Sequence, residues 1–240
     1  DPTRYIRIIA PSGERHDGTP GTGFKLSTGN TFDHAIHCVA YYTQFIGIEI
    51  EQRNASADTN YAIRAGNDAS EGYGILVDSC ILHSANNDGI NDLQGVDASN
   101  PAVMKNSLIY DCADAGINLL GGYAHLYNTT VTGCTGTGIY QSFDRTDVVV
   151  RNCVAYGNGT DFGTVHDGDY CASGDATAPG TNSITGITTS EFVDSANNDW
   201  HLVSGSQLVG AGVDLSTEGV TSDVDGDSRD GWDIGFDEYT

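Results

Sequence analysis

Positive charge is scarce in this chain. Ten Lys and Arg, only two of them lysines (Lys25 and Lys105), stand against 33 Asp and Glu, a formal charge of −23 over 240 residues. Such a surface repels phosphate backbones and anionic head groups, which argues against nucleic acid and membrane surfaces as partners. The longest apolar runs are too short to span a bilayer, so membrane insertion is not expected. The six cysteines (Cys38, Cys80, Cys112, Cys134, Cys153 and Cys171) form no CxxC and no Cys/His metal spacing. The seven histidines form no HxH or HExxH; HDG at 16–18 and VHDGD at 165–169 are the nearest approaches, and a structural role is expected for all seven. GxSxG, the P-loop and the dinucleotide fingerprint are missing, and with them the carriers of those chemistries. A basic, apolar leader is lacking too: the chain begins DPTRYIRII, already a strand-like alternation. We read that start as the end of a mature protein or an excerpt of a longer one.

Glycine is abundant, at 31 residues, and its placement repeats. Segments anchored on Gly89, Gly116, Gly138 and Phe162 align over the preceding fourteen positions without a gap. Apolar pairs stand thirteen and twelve residues upstream: Leu76-Val77, Val103-Met104, His125-Leu126 and Val149-Val150. A solvent-type column follows (Asp78, Lys105, Tyr127, Arg151), then Ser79, Asn106, Asn128 and Asn152, then the small residues Cys80, Ser107, Thr129 and Cys153. A second apolar pair comes next, and Ile90, Ile117 or Ile139 follows the glycine. Short β-rich runs at a period near 24 exclude helical repeats, which need about 34 residues or more, and no LxxLxL spacing supports a leucine-rich horseshoe. One coil cannot bury its own apolar face, so coils must stack. Parallel strands lie about 4.8 Å apart, which puts each column's residues over one another.

The stacking predicts a structural ladder. Asn106, Asn128 and Asn152 are expected to pass amide hydrogen bonds from coil to coil, and Gly89, Gly116 and Gly138 to supply a turn conformation closed to residues with a Cβ. An earlier coil is expected through Phe45–Gln52, with Tyr61-Ala62-Ile63 returning to the core and the loop at 54–58 interrupting it. The expected organisation is a start and cap over 1–44, coils over 45–162, and irregular strands over 163–240 covering the last coil, all within one structural domain. The stacked cysteines are expected to be buried free thiols, since parallel side-chain directions strain a disulfide.

At this point the chain resembles the right-handed parallel β-helix proteins, an all-β solenoid class. Within them it is similar to an uncharacterised branch met in phage-derived and environmental bacterial sequences. The carriers are RYIRIIAPSGERHDGTPGTGFKL near the start, the repeats above, TAPGTNSITG at Thr177–Gly186, FVDSANNDWHL at Phe192–Leu202 and DVDGDSRDGWDIGFDEY at Asp223–Tyr239. The resemblance speaks to the fold and hardly to activity.

Candidate chemistry divides three ways. Asp223, Asp225 and Asp227 alternate as in a calcium loop, making Ca²⁺ the one cofactor to test, but Ser228 and Ile234 break the EF-hand pattern. The resemblance implies instead a closing motif, with Arg229 paired to Asp223 or Asp233. Asp78, Lys105, Tyr127 and Arg151 offer an acid, an amine, a phenol and a guanidinium on neighbouring rungs, which suits a polysaccharide lyase; Asp88, Asp92, Asp111 and Asp114 could supply the acid pair of a glycoside hydrolase. Tyr110, Tyr127 and Tyr156, with Asp111 and Asp114 beside them, suit sugar stacking and hydroxyl recognition. The favoured expectation is a non-catalytic, extracellular or virion-surface solenoid. It would present a glycan-binding face and associate with copies of itself, as a trimer or larger assembly. An enzyme on acidic polysaccharide and a pure assembly subunit remain the alternatives.

Overall fold

A computed structural model describes residues 5–28, 34–53, 60–66, 73–120, 122–142 and 147–240. The loop at 54–58 lies outside these. Among them, strands fall into three parallel sheets visited in turn. The first coil runs through Ile6–Ile9, Lys25–Thr28 and His34–Cys38, and the second through Thr43–Ile46, Glu49–Gln52 and Tyr61–Ala65. The fourth, which is typical, uses Ala102–Lys105, Leu108–Tyr110 and Ile117–Leu119. Each strand pairs in parallel with its counterparts one coil away, giving a right-handed parallel β-helix. Parallel pairing continues past residue 162 through Gly168–Asp169, Ala172–Ser173 and Ile184–Thr185.

The register reproduces the sequence columns. Phe45, Val77, Met104, Leu126 and Val150 pair successively in the first sheet and are fully buried. Ile63, Ile90, Ile117, Ile139 and Phe162 do the same in the third. Removing one such side chain would leave a cavity costing about 2–5 kcal/mol. Phe162 therefore belongs to the isoleucine column and not to that of the glycines, whose place in its coil is taken by Asp161: this coil's corner is one residue shorter than the ungapped alignment assumed.

The glycines act through space and not through backbone freedom. None of Gly89, Gly116 and Gly138 has a left-handed φ. A Cβ on Gly116 would lie 2.2 Å from Val131 Cγ1 and 2.7 Å from the Gly138 carbonyl oxygen, and one on Gly89 would be 2.6 Å from Ile109 Cγ2. The glycine column lets one coil touch the next. The left-handed residues stand instead at the corner between the first and second sheets: Ser79 (φ 52°), Asn106 (50°), Asn128 (43°) and Asn152 (53°). Asn tolerates this region better than most residues with a Cβ, because its short amide bonds locally.

The next residue in each coil explains the small column. The Cys80 thiol, Ser107 and Thr129 hydroxyls and Cys153 thiol each donate to the carbonyl two residues back, at 3.3, 2.7, 3.0 and 3.2 Å. A small donor at this place adds a second hydrogen bond to a carbonyl that already accepts an amide from the preceding coil. All six cysteines are free and buried, as the sequence predicts, and burial pushes Cys80 up to about 12.

The middle of the second sheet carries apolar residues on both faces. Ile50, Leu82, Ile109 and Val131 point into the solenoid, while Ile81, Leu108, Val154 and Ala172 point out. The outward row is covered by the C-terminal segment, which forms the antiparallel pair Phe192–Asp194 and Asp199–Leu202. Its Phe192, Trp200, Leu208, Ile234 and Phe236 pack on the row. The segment thus lies along the flank, bonds the side chains of Lys105 and Asn106, and reaches back to Gly18 of the first coil.

Candidate functional site

The asparagine column is buried and stacked, but it is no continuous amide chain. Asn152 Nδ2 reaches Asn128 Oδ1 at a long 3.4 Å. The shorter bonds go to the C-terminal segment. Asn128 Nδ2 donates to the carbonyls of Asp233 (2.9 Å) and Gly235 (3.1 Å); Asn152 donates to Val213 O and accepts from Val213 N. Asn106 Oδ1 accepts from the Arg229 guanidinium at 3.2 and 3.3 Å. The column is a docking seam for the strap.

Arg229 is buried, and its acid partner is Glu238 (3.3 Å) in place of the expected Asp223 or Asp233. It also donates to the carbonyls of Gly235, Phe236 and Asp237. Asp233 is engaged by the amides of Gly210 and Tyr239, and Glu238 by those of Gly231, Trp232 and Asp233. A closing motif exists here, built mainly on carboxylate–amide bonds. Glu238 and Glu191, which likewise ties Ser206 and Gln207, carried no repeat signal that would single them out.

The column Asp78, Lys105, Tyr127 and Arg151 stands in register as expected, yet Lys105 and Tyr127 are spent on the same seam and Arg151 on a neighbouring coil loop. Lys105 Nζ donates to the Gly219 carbonyl at 2.7 Å and lies 3.5 Å from Asp78. Tyr127 is buried beneath Leu215 and Val220, and its hydroxyl reaches Glu218. Arg151 holds the carbonyl and carboxylate of Asp167. These positions offer no open cleft to a uronate.

The aromatic row is covered as well. Tyr110 is 5% exposed and stacks on His83 at 4.7 Å, while Tyr156 packs half-buried against Phe192 and Trp200. The expectation of exposed sugar platforms at Tyr110 and Tyr127 is corrected accordingly. The adjacent apolar pairs Ile81-Leu82 and Leu108-Ile109, whose members face opposite sides of the second sheet, were the signal that something covers its outer face.

The acidic loop, the candidate for Ca²⁺, is organised by Asp223. Asp223 is buried, and its Oδ1 accepts the amides of Asp225, Gly226 and Asp227 at 2.9–3.0 Å while Oδ2 takes that of Glu238. Asp223 thus folds the loop, with both of its oxygens accepting backbone amides. Asp88 is also structural: burial pushes it up, and it binds Asn91, Asn118 and the amide of Ala115.

The opposite corner, after the second sheet, remains open. Ser84 (φ 59°), Asp111 (53°) and Gly133 (66°) turn there, and all three are exposed. They help to line an open groove of about 670 Å³ with Glu51, Arg53, Asn86 and Thr135. Asp114, also exposed, lies one turn further on and does not line it. Burial works against ionising Glu51, yet Arg53, Ser27 and Lys25 hold it down at about 2. That is the reverse of what a general acid needs. Beside it, buried Glu49 is also held at about 2 against its burial, by His83, the Gly21 amide and Lys25. The groove therefore offers fixed negative charge, amides and hydroxyls with one guanidinium, a surface for hydrogen-bonding hydroxyl-rich ligands.

Neither the curated proteins nor the solved structures yield a match to this chain. A family model described as the right handed beta helix region matches residues 35–207, well over half of the sequence. Together with the three stacked parallel sheets, that match shows that the chain belongs to the right-handed β-helix family.

Proposed function

We propose that the chain is a non-catalytic recognition module that presents the open corner to a glycan. In this reading it works at an extracellular or virion surface, in copies of itself, as its resemblance to the phage-derived and environmental branch suggests. The carrying observation is the division of the molecule's flanks. The amine and phenol of the column suited to catalysis are tied to the strap and its guanidinium to Asp167, while the polar groove around Glu51, Arg53, Asn86 and Asp111 faces solvent. Convergent hydroxyl, amide and carboxylate groups on a rigid scaffold suit sugar hydroxyls. Exposed Ile6, Ile8 and Val39 at the first coil support the self-association part of the reading.

The test is binding of the whole chain to an array of neutral and acidic surface glycans. Discrete hits that weaken about tenfold in Asp111→Ala or Arg53→Ala, a loss of about 1.4 kcal/mol, are expected. No hits, or hits indifferent to both substitutions, would defeat the reading. Release of ultraviolet-absorbing unsaturated uronates would replace it with a lyase.

A further inference from the structure

The C-terminal strap holds a cluster that neither the seam nor the groove uses. His201, on the strand Asp199–Leu202, Asp225, on the acidic loop, and Asp237, near the chain's end, place one ligand atom each within 4.8 Å of one another. The histidine is oriented from behind: its Nδ1 lies 2.6 Å from Asp199 Oδ1. Ring nitrogens that bind metals usually have such a carboxylate on the other nitrogen, which fixes the ring and raises its basicity. The forward nitrogen, Nε2, is buried and has no hydrogen-bond partner.

Two distances give the cluster its character. Asp225 Oδ2 stands 3.4 Å from His201 Nε2, within ion-pair range yet too long for a good hydrogen bond. It matches the edge of a tetrahedron with metal–ligand bonds of about 2.1 Å, which is about 3.4 Å. Gly18, at φ +80°, packs against the ring: a Cβ on it would lie only 2.4 Å from Nε2 and 2.7 Å from Cε1, so glycine is what lets the first coil approach the histidine. Asp237 is buried and gives Oδ2 to the Leu202 amide at 2.7 Å, which holds the carboxylate in place and leaves its other oxygen for a ligand. Asp225 is exposed, so the cluster has a route from solvent.

We propose that His201, Asp225 and Asp237 form a site for a divalent transition-metal ion of the zinc class, with solvent completing its coordination. An imidazole nitrogen with two carboxylates suits Zn²⁺, whereas Ca²⁺ takes six to eight oxygens. Binding would displace any proton on Nε2 to solvent and bond the ion to that nitrogen and to one oxygen of each carboxylate. The three ligands come from three separate stretches of the strap, so the ion would staple the segment to itself. An ion that binds only the folded chain raises its stability by mass action. This site shares Asp225 with the acidic loop but uses neither Asp223 nor Asp227, and it is independent of the glycan reading.

The experiment uses the whole chain, stripped with chelator and titrated with ZnCl₂ alone at pH 7. Binding is followed by calorimetry, metal content and melting temperature. About one Zn²⁺ per chain is expected, with a raised melting temperature that equimolar Ca²⁺ does not reproduce. Asp225→Asn should weaken Zn²⁺ by at least about tenfold and shrink the rise in melting temperature that Zn²⁺ gives over the variant's own metal-free value; Asp199→Asn should cost about 10–100-fold through the ring it orients. Zinc content far below one per chain would overturn the proposal. So would an affinity unchanged in both Asp225→Asn and His201→Gln, which would place the ion elsewhere.

Discussion

At the corner between the first and second sheets, Asn106, Asn128 and Asn152 hold left-handed φ and face the C-terminal strap. At the corner after the second sheet, Ser84, Asp111 and Gly133 hold the same φ region and face solvent. Both corners make the same demand on the backbone, which glycine alone would meet. The residues differ because one corner also needs a side-chain amide that gives and takes hydrogen bonds. Where the strap lies, asparagine recurs; where water lies, Ser, Asp and Gly interchange. Repetition of a polar residue along a solenoid therefore marks a seam in this molecule, and variation marks the free surface.

The largest effect is expected at the seam. Asn128→Ala loses two bonds to the strap, worth about 1 kcal/mol each, and forces Ala into a left-handed conformation at about 1 kcal/mol more. Urea unfolding should show a loss of about 2–4 kcal/mol. Asn128→Gly keeps the backbone easy and isolates the amide, so a smaller loss of about 1–2 kcal/mol is expected; a glycine variant as stable as the parent would remove the distinction between the corners.

Acid comes next, and it acts beside the open corner. Glu49 and Glu51 have folded pKa values of about 2, depressed from 4.5, so both carboxylates bind protons less readily in the native state. Their contribution is fully present above 4.5 and is lost as pH falls from there through about 2. Melting temperatures measured over that window should fall, and Glu51→Gln should flatten the decline. An identical slope in the variant would show that the Lys25–Glu51–Arg53 arrangement contributes nothing to stability. The smallest effect is expected from Asp111→Gly, which stays in an allowed conformation at an exposed position; stability should change by less than about 0.5 kcal/mol. A larger loss would make the open corner structural too.

The solenoid was legible because its information is periodic. Stacking puts Val77 over Met104 and Leu126, so equivalent residues repeat at coil length and the register can be read without coordinates. The glycine and asparagine columns were legible as columns, but their causes were not. A close approach at Gly116 and a positive φ at Asn128 leave the same mark on a sequence. The strap hid the rest. Arg229 meets Asn106 across 123 positions of chain, and no period links them. The lyase-like column and the tyrosines were correctly stacked, but the partners that cover them, Gly219, Leu215, Phe192 and Trp200, lie in aperiodic sequence. Only the doubly apolar strands Ile81–His83 and Leu108–Tyr110 announced a cover, without saying what it was.

A double-mutant cycle on Asn106→Gly and Arg229→Met tests the seam most directly. Glycine preserves the left-handed corner, so the cycle isolates the guanidinium–amide contact. If the column holds the strap, unfolding in urea should give a coupling energy above about 1 kcal/mol between the two positions. Additive losses, with no coupling, would contradict the seam and return the asparagines to a role within the solenoid alone.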